Sequence, residues 1–334
     1  MKMILRKTIA IILIFVCTGK VLIESSLAQE NPAAPASIVL IIGSKPGGGY
    51  DRYGRLVAKY LSKHLKDSIV TPVNKATAAG VPALKEIADK GADGTKLLTF
   101  NTGLLLRQLS GVSLNIDQYS WLGKASSEAR VLLVGKDAGI SNFQDLRTRG
   151  AGLVFVSSSY GSSAFIQTHL LNDAFGLNLK IVPGFGGNEA EAALLKGEVD
   201  GALVSESNVA PLVEAGAVVP ILVFGTPRDP TLTDISKGLD IAQTQDQILV
   251  ARTITTLTEL GRPLVAAPDL NAELLDTYRR AYHSALTDPE LLAEAAAQKM
   301  PVSYMKGDQS QLLVVEMLTA DGRIADMVQA VLAR

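Results

Sequence analysis

The sequence predicts an α/β protein of two domains, each a mostly parallel sheet flanked by helices. Three observations carry this reading. At roughly 100–200 residues per domain, 334 residues suffice for about two. Short apolar, β-branched runs alternate with amphipathic stretches over the first two thirds, the pattern of parallel strands between helices. The last third is mainly helical, as expected of a chain that returns to complete its first domain.

Taken in order, residues 1–28 read as a secretory leader. Lys2, Arg6 and Lys7 give a basic start, and Ser26-Leu27-Ala28 offers small residues for cleavage near Ala28. The apolar run Ile9 to Val16 is too short for a mature span, which takes about 20 residues. Cys17 leaves a lipid-anchored form open, although Val16 stands where a lipobox carries a small residue. Residues 29–37, rich in Ala and Pro, read as a linker. Removing the leader takes four basic residues and one acidic one, so a chain of net charge -1 becomes acidic by four and loses its single cysteine.

Domain one is expected over residues 38–135 plus 262–334, and domain two over 136–261. Ile38–Ile42 is a continuous apolar run, as in a strand covered on both faces. Asp51–Leu65 is helical, with Tyr53, Leu56, Val57, Tyr60 and Leu61 on one face. Ile69–Val73 and Lys96–Phe100 are strands around a helix at Gly80–Lys90. Val131–Val134, Leu153–Val156, Leu179–Val182, Ala202–Val204 and Val219–Phe224 are further strands. Helices at Ser163–Phe175, Glu189–Lys196 and Asn208–Ala215 lie among them. Beyond these, Asp246–Leu260, Asn271–Leu286, Pro289–Gln298, Ser310–Leu318 and Arg323–Leu332 read as helices, with Leu264–Ala267 as the clear strand.

Composition excludes several function classes. Lys+Arg 32 against Asp+Glu 33 gives no basic face for nucleic acid. One cysteine excludes a disulfide framework and a thiolate metal site. The three histidines, at 64, 169 and 283, fit no metal-ligand spacing, so neither a metal nor another cofactor is expected.

The candidate site lies in loops that follow predicted strands, the edge where open α/β sheets bind ligands. In the first, Pro46, Gly47, Gly48 and Gly49 lead to a helix that Asp51 is placed to cap. Glycines let the backbone approach a ligand, and the helix start suits an anion, though a plain tight turn uses the same residues. The pattern G-x-G-x-x-G fails at Arg52, so a dinucleotide is not implied. In the second, Ser158, Ser159, Tyr160, Gly161 and Ser162 precede another helix, and a polar loop with a Ser cap is the alternative. Asn101 and Thr102, Phe185 and Gly186, and Ser205 complete the set. These loops hold one base, Lys45, so recognition of an anion is expected from N–H dipoles and hydroxyls alone. No histidine stands beside the serines to serve as a base, so an enzyme is not expected.

Six short motifs, in order, resemble the extracytoplasmic solute receptors of the tripartite tricarboxylate transporters, also called the Bug family. The family's P-x-G-G-x-x-D loop is similar to Pro46-Gly47-Gly48-Gly49-Tyr50-Asp51, and its V-x-N-K-P-G-A-G-G to Val73-Asn74-Lys75 through Gly80. Its D-G-Y-T-L is similar to Asp93-Gly94-Thr95-Lys96-Leu97, and its S-S-G-x-G-S to Ser158-Ser159-Tyr160-Gly161-Ser162-Ser163. Its V-P-Y-K-G and L-x-G-x-V-D are similar to Val182-Pro183-Gly184-Phe185-Gly186 and Leu195-Lys196-Gly197-Glu198-Val199-Asp200.

The resemblance implies a type II periplasmic-binding-protein, or Venus flytrap, fold. It implies a small organic carboxylate pinched between the glycine and serine loops and membrane transporter subunits as partners; the leader points to the periplasm, and a monomer is expected. Gly47, Gly48, Asp51, Ser159, Gly161 and Ser162 are the positions carried over, with Asn101 and Thr102 beside them. The chain departs from the pattern at Ala76-Thr77-Ala78-Ala79, at Gly184-Phe185-Gly186, at Val204-Ser205 and in an extra helical stretch from Thr231 to Gly261, which puts the usual dicarboxylate in doubt. A ligand sensor for a signalling receptor, and a serine-dependent hydrolase, are the alternative functions.

Overall fold

A computed structural model describes residues 34–334 except Gly187, Ala320 and Asp321, and leaves aside the side chain of Ala79. The leader and most of the linker expected from the sequence lie outside the described residues. Three stretches of chain build two sheets.

The first stretch runs β1 (Ser37–Ile42), α1 (Gly49–His64), β2 (Ile69–Asn74), α2 (Val81–Lys90), β3 (Lys96–Thr99), α3 (Gly103–Leu109) and β4 (Ser120–Lys124). The second runs β5 (Arg130–Gly135), α4 (Phe143–Arg149), β6 (Val154–Ser157), α5 (Ser163–Phe175) and β7 (Lys180–Pro183). It continues through α6 (Glu189–Leu195), β8 (Gly201–Ser205), α7 (Val209–Glu214), β9 (Val218–Phe224) and α8 (Gln245–Glu259). The third is β10 (Pro263–Ala266), α9 (Ala272–Leu286), α10 (Pro289–Ala297), β11 (Met305–Lys306), α11 (Gly307–Leu318) and α12 (Arg323–Leu332).

The first sheet has the order β11-β4-β10-β3-β1-β2, and the second β7-β6-β8-β5-β9. The expectation of mostly parallel sheets needs correction, because both are mixed. β2, β1 and β3 run parallel, whereas β10 is antiparallel to β3 and β4, and β11 to β4. Likewise β7, β6 and β8 run parallel, while β5 is antiparallel to β8 and β9. The parallel strands are joined by crossover helices, and the antiparallel ones flank the points where the chain changes sheet. Antiparallel neighbours need no covering crossover. Since β5 pairs in the second sheet, the crossing lies at residues 125–129 rather than after 135. The return crossing is 260–262.

The helices form where their apolar faces predict. Tyr53, Leu56, Val57, Tyr60 and Leu61 of α1 are buried against the first sheet. β4 was not expected, since Ser-Trp-Leu-Gly-Lys is no β-branched run, yet all five of its residues are buried. Trp121 on β4 sits edge-on to Phe100 at 5.9 Å between ring centres and donates to the Ile116 carbonyl at 3.0 Å. Of the 231–261 stretch only the second half is α-helical, as α8, begun by a capping box between Thr244 and Gln247; residues 233–244 are turns and bends.

The described residues form one compact unit. One hydrophobic cluster runs through both sheets, joining Leu98 and Trp121 of the first to Leu132, Phe155 and Leu203 of the second. The C-terminal helix α12 packs on α3 and also on α5.

Candidate functional site

A cavity of about 200 Å³ lies where the strand ends of the two sheets face each other. Its first wall is the start of α1, with Gly48, Gly49 and Tyr50, and the turn Asn101-Thr102 after β3. Its second wall is Ser158 and Ser159 after β6, with Ser162, Ser163 and Ala164 at the start of α5. Phe185, Gly186 and Ser205 close that side. Both helices thus direct first-turn N–H groups, which lack intrahelical acceptors, toward one space.

Of the residues expected from the sequence, Gly48, Gly49, Asn101, Thr102, Ser158, Ser159, Ser162, Phe185, Gly186 and Ser205 line the cavity. Pro46, Gly47, Asp51, Tyr160 and Gly161 are not among the lining residues. Asp51, 5% exposed, does not cap α1 from its start, which is Gly48. Its carboxylate instead accepts from the Gly47 N–H at 2.9 Å, Arg55 Nε at 2.9 Å and Asn74 Nδ2 at 2.8 Å, and so ties the glycine loop to α1 and β2. Burial works to raise its carboxyl, but these bonds hold it below the ordinary value. Tyr160 is 48% exposed, with its hydroxyl on the Leu332 carbonyl of α12. Gly161 borders Arg107.

The loops bind each other directly. Asn101 Oδ1 accepts from Gly103 N at 2.9 Å and, across the cleft, from Ser163 N at 2.8 Å. A Cβ on Gly103 would run into the backbone of Ser162 and Ser163, so only glycine permits this approach. Ser162 Oγ caps α5 through Phe165 N at 3.2 Å and meets Ser158 Oγ at 2.7 Å. Lys45, on the rim, reaches Glu189 at 3.4 Å.

The expectation that dipoles and hydroxyls act alone is overturned by the floor. Glu128, Arg130 and Arg262 line the cavity, at the two crossings between the sheets. The crossings run side by side, with Ala125 N on the Arg262 carbonyl at 3.0 Å and Ser126 N on that of Gly261 at 3.4 Å. Arg262 Nη2 meets Glu128 Oε2 at 2.7 Å, both side chains being under a tenth exposed. Tyr53 Oη donates to the other Glu128 oxygen at 2.7 Å, and Arg262 stacks 4.5 Å from the centre of the Tyr50 ring. Arg262 has φ 57, a left-handed conformation uncommon for a bulky residue and disfavoured before proline, so the ion pair holds a strained backbone. Arg130 donates to Ser205 Oγ at 3.0 Å and to the Leu203 carbonyl at 2.6 Å. Burial pushes its pKa down to about 10, which leaves it a cation at neutral pH.

Among the described residues, eight buried side-chain atoms lack a hydrogen-bond partner, and five belong to residues of this cavity. They are Ser44 Oγ, Arg130 Nε, Gln167 Oε1, Glu191 Oε2 and Arg262 Nε. Buried polar atoms are ordinarily paired, so their concentration here makes this cavity the candidate site. Gln167 and Glu191 were not legible as site residues, because each sits mid-pattern in an ordinary helix. Arg130 and Arg262 left one signal, a lone arginine directly before a β-branched or apolar strand.

Two mixed α/β sheets meeting at a polar cavity define a periplasmic-binding-protein fold. The sequence pattern described as tripartite tricarboxylate transporter family receptor matches residues 54–329, and the chain belongs to that family of solute-binding proteins. It is 25% identical over 279 residues to the UPF0065 protein in the TAR-I ttuE-ttuC′ intergenic region of Agrobacterium vitis, covering 81% of this chain and 78% of that protein. Its fold is similar to that of the periplasmic binding protein BugD, with TM-score 0.71 at 17% identity over 88% of this chain and 97% of that one. It is also similar to MatC from Rhodopseudomonas palustris with bound malate, with TM-score 0.69 at 18% identity over 87% and 98%.

Proposed function

We propose that the protein captures a small organic carboxylate in this cavity and presents it, from the periplasm, to the membrane subunits of a tripartite transporter. The observation that carries this is the meeting of two helix starts with the guanidinium of Arg130, whose Nε is buried and unpartnered. A carboxylate there gains charge-assisted bonds in a space shielded from water, where they are strongest. A cavity of about 200 Å³ suits a compact metabolite.

Residues of the first sheet and those of the second act as two lobes about the crossings 125–129 and 260–262. A ligand bridging α1 and α5 favours the closed population by its differential contacts. The reading is non-catalytic, because Ser162 is engaged as a cap and with Ser158, while His169 packs on Phe165 and faces Arg334. The relative with bound malate agrees with a carboxylate ligand.

The test is titration calorimetry against mono-, di- and aminocarboxylates with parent and Arg130→Met. A lost bond to a charged group costs about 1.5–3 kcal/mol, so affinity should fall about 10–150-fold. A parent that binds no carboxylate, or a variant that binds as well as the parent, ends the proposal.

A further inference from the structure

The charges at the cavity balance once Glu189, which pairs with the lining residue Lys45 from outside the lining, is counted with them. Arg262 is matched by Glu128, and among the described residues the lining also carries Arg130 and Glu191, both half-buried. Lys45 on the rim has Glu189. A bare dicarboxylate would bring two negative charges into a space whose own charges already cancel, whereas a zwitterion adds none.

The unpartnered atoms divide the same way. Arg130 Nε and Arg262 Nε are donors that call for an acceptor, and Glu191 Oε2 and Gln167 Oε1 are acceptors that call for a donor. Glu191 Oε1 takes the amide of Asn208, which leaves Oε2 as the free lone-pair site. Gln167, a lining residue, is 1% exposed, and its Nε2 is held by Ser163 Oγ at 2.7 Å, while its carbonyl oxygen has no partner. We infer that the ligand carries a protonated amine as well as its carboxylate, the carboxylate at Arg130 and the helix starts, the ammonium at Glu191 and Gln167. Burial raises the Glu191 carboxyl above its ordinary value, with Asn208 and Arg130 working against that, so its charge is incompletely compensated by the protein.

This inference rests on the carboxylate reading above and narrows it. The test is titration calorimetry of the whole protein with matched acids: succinate against 3-aminopropanoate, glutarate against 4-aminobutanoate, with 3-hydroxypropanoate and propanoate as further probes. The amino member of each pair should bind at least about tenfold tighter, the worth of a bond to a charged group. Glu191→Gln should bring each pair to within about threefold, since it removes the charge and keeps the shape. Tighter binding of the dicarboxylates, an unchanged ratio in Glu191→Gln, or a hydroxy acid that binds as well as the amino acid would each overturn the inference and leave the carboxylate site standing. Silence from every acid, propanoate included, would overturn the carboxylate reading and this inference together.

Discussion

The glycine and serine loops at the starts of α1 and α5 face the charged floor on the two crossings across a single cavity, and they use their polar groups differently. In the loops, side chains satisfy one another: Asp51 holds Gly47, Asn101 holds Ser163, and Ser162 holds both Ser158 and its own helix. What these loops leave for a ligand is backbone N–H other than that of Gly47, Ser163 and Phe165, which side chains already take. On the floor the side chains themselves are exposed to the cavity, and the pair that neutralises Arg262 also joins one crossing to the other. The difference teaches that shape and charge reach this site from separate parts of the chain. Loops fix the opening, while the charge comes from the crossings together with Arg130 at the start of β5 and Glu191 of α6.

That contrast is broken most severely at Arg262. Arg262→Met leaves Glu128 buried without its cation, a loss of about 3–5 kcal/mol in urea unfolding. Adding Glu128→Gln should restore part of it, and a single-variant loss below about 1 kcal/mol would mean the pair does not secure the crossings. Within the loops the effect is smaller. Ser162→Ala removes a helix cap and should cost about 1 kcal/mol, whereas Ser159→Ala should stay within about 0.5 kcal/mol. Equal losses would show that the cap does not organise the serine loop.

A pH-dependent effect sharpens the comparison from the side of the crossings. Lys124, at the end of β4, is buried against Ser127 and Ser303, and burial lowers its pKa to about 8. Its charged form is therefore disfavoured in the folded state. Between about pH 8 and its ordinary value of 10.5 the unfolded chain binds more protons, so this group's contribution to stability rises with pH. Lys124→Met should melt above the parent at pH 7.5, and the gap should close by pH 10.5. A gap that stays constant across that range would assign the lysine no part in the balance.

Much of the scaffold was legible because burial leaves periodic marks. The α1 face and the β1 run are apolar where the sheet covers them, and the loops at strand ends announce themselves by clustered Gly and Ser. Strand direction leaves no such mark, which is why mixed sheets read as parallel ones. Trp121 and Gly123 disguise β4 for a related reason, since its burial comes from β10 and β11 on either side rather than from β-branched residues. The floor was hidden because an isolated arginine reads as a surface residue until its partner is known. Glu128 and Arg262 are 134 positions apart, and only the fold makes them neighbours. Asp51 illustrates the converse, a residue legible as important whose importance is to the loop.

The buried indole of Trp121 has a practical consequence. The protein has one tryptophan, and it is fully enclosed in the first sheet beside Phe100 rather than in the cavity. Its emission is an unlabelled optical gauge of a single place in the molecule. A red shift during denaturation reports water reaching β4, while a ligand that fills the cavity without loosening that sheet leaves the colour unchanged.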